Sequence, residues 1–234
     1  MAASLLENHP LSTQPKPGEY AKGLVWFRRD LRTHDNAALF YALKHCKQVH
    51  CVFVFDKTIL DALSNKADRR VEFIWESCMA LKKKLQDFGG DLHLVHDHAE
   101  KTIPELALKL GVQAVFTNKD YEPAAIDRDI TVGKTLQGKG IELFRFKDQA
   151  IFEEDEVLTQ AGKFFSVFTP FKNACLKKLD AFHLTPYPSE AHIDSLAADK
   201  NLPSPSLEDM GFTRTNLLDM IKPGEEGALD AFED

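Results

Sequence analysis

The sequence predicts a doubly wound, Rossmann-like α/β fold: a five-stranded parallel sheet in the order 3-2-1-4-5 with helices on both faces. Three observations lead there. Between residues 23 and 146, short apolar runs alternate with segments whose apolar residues recur at three- and four-residue steps. Five such runs separated by four helical segments imply right-handed β-α-β crossovers, because parallel neighbours need a long connection. The second run is apolar almost throughout, as a central strand covered on both faces requires.

The strands are GLVWFR (23–28), QVHCVFVF (48–55), DLHLVH (91–96), VQAVFTN (112–118) and IELFRF (141–146). The fifth alternates more, which suits an edge. Helices are expected over 36–45, 66–88, 102–110 and 123–138. In the second of these, Val71, Ile74, Trp75, Cys78, Leu85 and Phe88 form the apolar stripe. Asp68 is its expected N-cap, Gly89-Gly90 its stop, and Lys82-Lys83-Lys84 a solvated end suited to the helix dipole. Trp26 and Trp75 sit on core periodicity and read as packing. In this fold, ligands lie at the carboxyl ends of the strands, near the reversal of strand order.

Beyond residue 146 the pattern changes. The expected division is a flexible arm over 1–21, the α/β domain over 22–150, its C-terminal extension over 151–183 and a proline-rich linker over 184–223. A helix start over 224–234 completes it. The extension begins with a hairpin-like stretch (150–168) that runs into one helix at TPFKNACLKKL.

Composition narrows the function classes. No apolar run approaches the roughly 18 residues of a membrane helix, and the first twenty residues lack the pattern of a secretory signal, so a cytoplasmic location is expected. A net charge of −7 argues against an extended DNA-binding surface on this chain. Cys46, Cys51, Cys78 and Cys175 show no zinc spacing, and Cys51 and Cys78 lie in apolar runs as buried thiols do. His93, His96 and His98 cluster in sequence, but strand alternation turns His93 away from His96, and no metal site is expected there.

The first strand ends in VWFRRDLRTHDNAAL. Arg28, Arg29 and Arg32 can pair with Asp30 and Asp35 and fix the loop, while Asn36 or Asp35 caps the next helix. That is the structural alternative to a polar cradle for a ligand at the switch point. The absence of GxGxxG and GxxxxGK[ST] disfavours a phosphate held by a glycine loop.

The same run resembles the opening signature of the photolyase/cryptochrome family, [VL]-[WF]-F-R-x-D-L-R-x-x-D-N-x-A-L. FTNKDYEPAAIDRD (116–129) and FSVFTPFKNACLKKL (165–179) agree in order and spacing, and KPGEEGALDAF resembles the segment that opens the family's FAD domain. The resemblance implies the N-terminal α/β domain of a class I-like deoxyribodipyrimidine photolyase, a monomer. Light-driven splitting of pyrimidine dimers would then rest on FAD, and contact with damaged DNA on a helical domain, both beyond Asp234. No residue here is therefore assigned as catalytic.

What the resemblance implies within this domain is an antenna chromophore. Folate-binding relatives carry an Asn-Glu pair where this chain has Ala124 and Ala125, and methyl groups cannot pair a pterin edge. The stretch is closer to relatives with a flavin-type antenna, 8-hydroxydeazaflavin or FMN, than to those with methenyltetrahydrofolate. The candidate cofactor-binding residues are Arg29, Asp30, Asp56, Asn118, Asp120 and Glu122. Against this, Glu122 could simply pair with Arg128 and Asp120 could cap the following helix. Two other functions remain open: a cryptochrome domain acting in signalling, and an unrelated nucleotide-binding α/β domain, whose phosphate signatures are absent.

Overall fold

The computed structural model describes residues 11–12, 20–153 and 155–233. Its sheet contains β1 (Leu11–Ser12), β2 (Tyr20–Phe27), β3 (Cys46–Asp56), β4 (Leu92–Asp97), β5 (Ala114–Asn118) and β6 (Glu142–Phe146). The order is β1-β6-β5-β2-β3-β4, with every pair parallel. The five predicted strands thus take the predicted order. The fifth is not an edge, because Leu11 and Ser12 pair with Leu143 and Phe144 on its outer side. The rest of the expected arm, apart from Tyr20 and Ala21 in β2, lies outside the described residues.

The connecting helices are α1 (Ala37–His45), the short α2 (Lys57–Leu60), α3 (Arg69–Asp87), α4 (Ala99–Leu110) and α5 (Pro123–Gln137). Strand alternation builds two separate cores. Val25, Phe27, Cys51, Phe53, Phe116 and Phe144 face α1 and α3. Leu24, Trp26, Val52, Val54, Val115 and Leu143 face α4 and α5. Asp68 caps α3 by accepting from the Arg70 N–H at 2.9 Å, as predicted. At Gly23 a Cβ would lie 2.6 Å from Cys46 Sγ and 3.1 Å from the Phe116 ring, so only glycine lets β2 sit this close to its neighbours.

Lys82 departs from the expected solvated helix end. It is buried, and its Nζ lies 2.5 Å from Asp91 Oδ1 and donates to the Leu92 carbonyl at 2.9 Å. Lys83 and Lys84 remain on the outer face. The charge run divides because helical spacing sends one of three adjacent residues under the helix.

After β6, the described residues of 150–168 form turns and bends with no strand pair among them, and α6 (Phe168–Lys178) is the predicted single helix. The proline-rich tract then runs along the outer face of α3. Leu207, Met210 and Phe212 enter the α1–α3 core, Trp75 Nε1 donates to the Pro205 carbonyl at 2.8 Å, and buried Glu72 accepts from the Thr215 N–H at 2.9 Å. The last element, α7 (Gly224–Glu233), meets α3 through Glu225, whose carboxylate lies 3.2 Å from Lys84 Nζ.

Candidate functional site

β2 and β5 are neighbours whose connections leave toward opposite edges of the sheet, so their carboxyl ends flank the switch point. Asp30, Asn36 and Asn118 meet there, all buried. Asn118 Nδ2 donates to Asp30 Oδ2 at 2.6 Å and to Asn36 Oδ1 at 3.0 Å, while its Oδ1 accepts from the Ala38 N–H at 2.9 Å. Asp30 Oδ1 accepts from the Arg28 N–H at 2.7 Å. Asn36 caps α1 by accepting from the Leu39 N–H at 3.0 Å. These polar atoms are occupied by the protein itself. Asp30 and Asn118 lock the β2 loop to β5 and to the start of α1.

The rim above is charged. Arg29, 55% exposed along its side chain, places Nε 3.0 Å from Asp120 Oδ2 and Nη2 2.6 Å from Glu122 Oε1. Partial burial lowers the Arg29 pKa, but the hydrogen bonds and charges of Glu122 and Asp120 outweigh it and leave the value raised. Asp120 Oδ1 accepts from the Glu122 N–H at 3.2 Å, closing the turn before α5. The expected Glu122–Arg128 pair does not form. The expected arginine knot forms only in part: Arg32 Nη2 donates to the Asp35 carbonyl at 2.6 Å, but among the described residues no arginine side chain pairs with the Asp30 or Asp35 carboxylate. Arg32 reaches Asp148 at 3.0 Å, and the Asp35 carboxylate accepts from the Tyr187 N–H at 2.7 Å.

Asp56 belongs to a third group, on the α5 side of the sheet. It caps α2 by accepting from the Thr58 N–H at 3.0 Å, and its other oxygen lies 4.0 Å from Arg128 Nη1. Beside it, fully buried Asp129 takes Arg28 Nη1 at 2.6 Å, with Arg128 Nη2 at 3.6 Å and Arg145 Nε at 3.5 Å. Arg28 also donates to the Asn118 carbonyl. The guanidinium carbons of Arg28 and Arg128 each stand 5.0 Å from the Trp26 ring centroid. Three guanidinium groups therefore share two carboxylates, and Arg128 Nε and Arg145 Nε, together with Asp129 Oδ2, are buried with no hydrogen-bond partner among the described residues. Burial depresses the pKa of Arg128, the charge of Arg28 adds to this, and Asp129 and Asp56 oppose it. Such a surplus of buried donors suits an anionic group, phosphate above all.

Sequence reasoning found Asp56 but missed Arg145 and the role of Asp129. The available signal was an arginine on the inward register of IELFRF. The same end of the molecule carries two clefts. One, of about 460 Å³, is bordered by Arg32, Asp35, Phe40, Asp148 and Tyr187 among others. The second, of about 400 Å³, is aromatic, with Tyr121, Phe152, Phe164, Phe165 and Phe171. The six predicted residues line neither. Ala124 is exposed and Ala125 buried at the first turn of α5, both offering only methyl groups.

A sequence model of the family described as DNA photolyase matches residues 23–191. This chain belongs to the DNA photolyase family. It is 35% identical over 209 residues to an uncharacterized 31.6 kDa protein of Synechococcus, covering 89% of this chain and 72% of that protein. It is 31% identical over 226 residues to the deoxyribodipyrimidine photo-lyase of Halobacterium salinarum, covering 90% of this chain and 46% of that protein. Among solved structures, a class III photolyase from Agrobacterium tumefaciens superposes with a TM-score of 0.74 at 29% identity, over 96% of this chain and 45% of that one. An archaeal photolyase from Sulfolobus tokodaii, solved with two FAD molecules and reported to imply a novel light-harvesting cofactor, gives 0.56 at 32% identity. That match spans 65% of this chain and 34% of its own. The chain thus spans less than half the length of the photolyases it matches. It is the family's N-terminal α/β domain, with the family's five-stranded sheet order. Among the described residues, no helix is long and apolar enough to cross a membrane.

Proposed function

We propose that the chain serves light-dependent repair of cyclobutane pyrimidine dimers as the antenna-bearing α/β half of a photolyase. FAD and damaged DNA would be engaged by a helical domain. The observation that carries this reading is co-extension: nearly all of the chain superposes on 45% of the class III photolyase, with 29% identity. The surface supports it. α6 has no buried residue, and Phe164, Val167, Phe168, Leu176, Phe182 and Leu184 around it are exposed. A contiguous apolar surface of this kind needs a cover, and a second domain would supply it.

The antenna we assign is flavin-type, at the carboxyl ends of β2, β3 and β5. Support comes from the Arg28, Arg128 and Arg145 cluster, in which Arg128 Nε and Arg145 Nε make no hydrogen bond and which suits the phosphate of FMN, and from methyl groups at Ala124 and Ala125 where a pterin would need polar partners. A second reading, favoured by the size of the 31.6 kDa Synechococcus relative, has the α/β unit working as a separate polypeptide. Its role would then be binding or signalling rather than repair.

The experiment is titration of the chain with FMN, 8-hydroxydeazaflavin and methenyltetrahydrofolate, read by fluorescence, beside an assay of light-driven dimer splitting. The expected result is flavin-type binding that Arg128→Gln weakens by about 1–3 kcal/mol. The chain alone should split no dimers, and should hold no stoichiometric FAD. Tighter binding of the folate than of either flavin would overturn the antenna assignment. Dimer splitting by the chain alone would overturn the division of labour.

A further inference from the structure

His50 lies on β3 and His93 on β4, in neighbouring strands and on the same face of the sheet as Val52 and Val95. Their distance along the chain hides this pairing, because only strand register brings them together. A third group arrives from the proline-rich tract. Leu196 bridges Val49 in parallel, and the Ala197 N–H donates to the Val49 carbonyl at 2.9 Å, which sets this segment on the stretch of β3 that β4 leaves unpaired. Asp199 then projects between the two imidazoles. Its Oδ2 lies 2.6 Å from His50 Nδ1 and 3.6 Å from His93 Nε2. One ligand atom from each of the three residues lies within 4.8 Å of the other two.

We propose that His50, His93 and Asp199 form a binding site for a divalent transition-metal ion of the zinc class, which fastens the interdomain tract to the sheet. The donor set is two imidazole nitrogens and one carboxylate oxygen, the ligand types zinc selects. Bonds of about 2.0–2.2 Å in tetrahedral array place donor atoms about 3.3 Å apart, so the two separations from Asp199 need adjustments of less than about 1 Å and the imidazole pair, within 4.8 Å, one of at most about 1.5 Å. The side chains of His50 and His93 are only 8% and 15% exposed, while Asp199, 23% exposed, leaves a path from solvent. The His50–Asp199 hydrogen bond alone leaves His93 Nε2 buried and without a hydrogen-bond partner, and a metal ion satisfies it. Three protein ligands leave a fourth position for water.

The same segment supplies the consequence. The Leu202 N–H donates to Asp91 Oδ2 at 3.0 Å, three residues past Asp199, so a metal at the triad would fix the tract at both ends of this short run.

The test uses the full chain, stripped with a chelator and titrated with Zn²⁺ and Co²⁺ alone. One ion per chain is expected, with the visible bands of Co²⁺ reporting nitrogen and oxygen ligands. His93→Asn and Asp199→Asn should each weaken Zn²⁺ binding at least ~10-fold, while His98→Asn should leave it unchanged. Zn²⁺ should also slow hydrogen exchange of the Ala197 and Leu202 amides, a readout on the unaltered chain that stands even if a variant misfolds. Absence of stoichiometric Zn²⁺ binding at about 100 µM would overturn the site. So would equal affinity in all variants, or exchange at 196–202 indifferent to Zn²⁺.

Discussion

Asn118 and Glu122 stand four residues apart, and both matched the signature of a ligand site, yet their surroundings give them different work. Asn118 makes three side-chain hydrogen bonds inside the switch point, one of them to the buried Asp30 carboxylate. Glu122 is 64% exposed, and its carboxylate pairs with Arg29 across the rim. Asn118→Ala should therefore cost about 3 kcal/mol of stability in denaturant melts, because it strands a buried carboxylate and a helix N–H. Glu122→Ala should leave the melting curve within about 0.5 kcal/mol of the parent, which makes it the clean probe of chromophore contact. A large destabilisation by Glu122→Ala, or none by Asn118→Ala, would reverse these roles. Residue type and spacing were legible for both, but burial was not. Whether a carboxamide holds a ligand or a loop depends on which main-chain groups surround it.

At the scale of elements, α3 shows how one helix serves two neighbours. Its inner stripe, Val71, Cys78, Leu81 and Leu85, enters the core, and its outer face receives the proline-rich tract through Glu72, Trp75 and Glu76. Lys82 secures its last turn to Asp91 at the start of β4. Burial pushes the Asp91 pKa up, but hydrogen bonds from Lys82, Leu202 and Leu92 and the charge of Lys82 outweigh it and hold the value below the ordinary carboxylate range. A depressed folded-state pKa means that this stabilisation is present above the unfolded value of about 3.9 and fades as pH falls through the lower folded value. Asp91→Asn should cost about 3–5 kcal/mol at neutral pH, since it leaves a buried ammonium without its counter-charge. Urea melts between about pH 7 and pH 3 should show the gap between parent and variant closing below about pH 4. A gap that stays constant with pH would mean that the pair contributes no net charge stabilisation.

The whole molecule is a two-sided sheet whose α1–α3 core extends outward to include the tract after residue 184. Its thiols report on that packing. Burial pushes Cys46 up to about 12 and raises Cys51 and Cys78 as well, whereas Cys175 sits half-buried on α6. Under native conditions near pH 8, a thiol-specific reagent should label one cysteine quickly, Cys175, and the other three only after denaturation. Fast labelling of Cys46 would mean that β2 and β3 part at Gly23, where the Cys46 sulfur is packed.

Five of the six strands and their order, the helix cap at Asp68 and the family were written in the sequence; for the cap of α1 the sequence left Asn36 and Asp35 both open. Alternation, helical spacing and short capping signals are local, and a contiguous motif such as VWFRRDLRTHDNAAL keeps its meaning wherever it folds. Three things were decided only in tertiary structure: the gathering of Arg28, Arg128 and Arg145 around Asp129, the burial of Lys82, and the meeting of His50, His93 and Asp199. Each joins residues from different elements. Their partners are set by strand register and by the path of a loop over the surface, and neither quantity is encoded in the spacing of residues along a single segment.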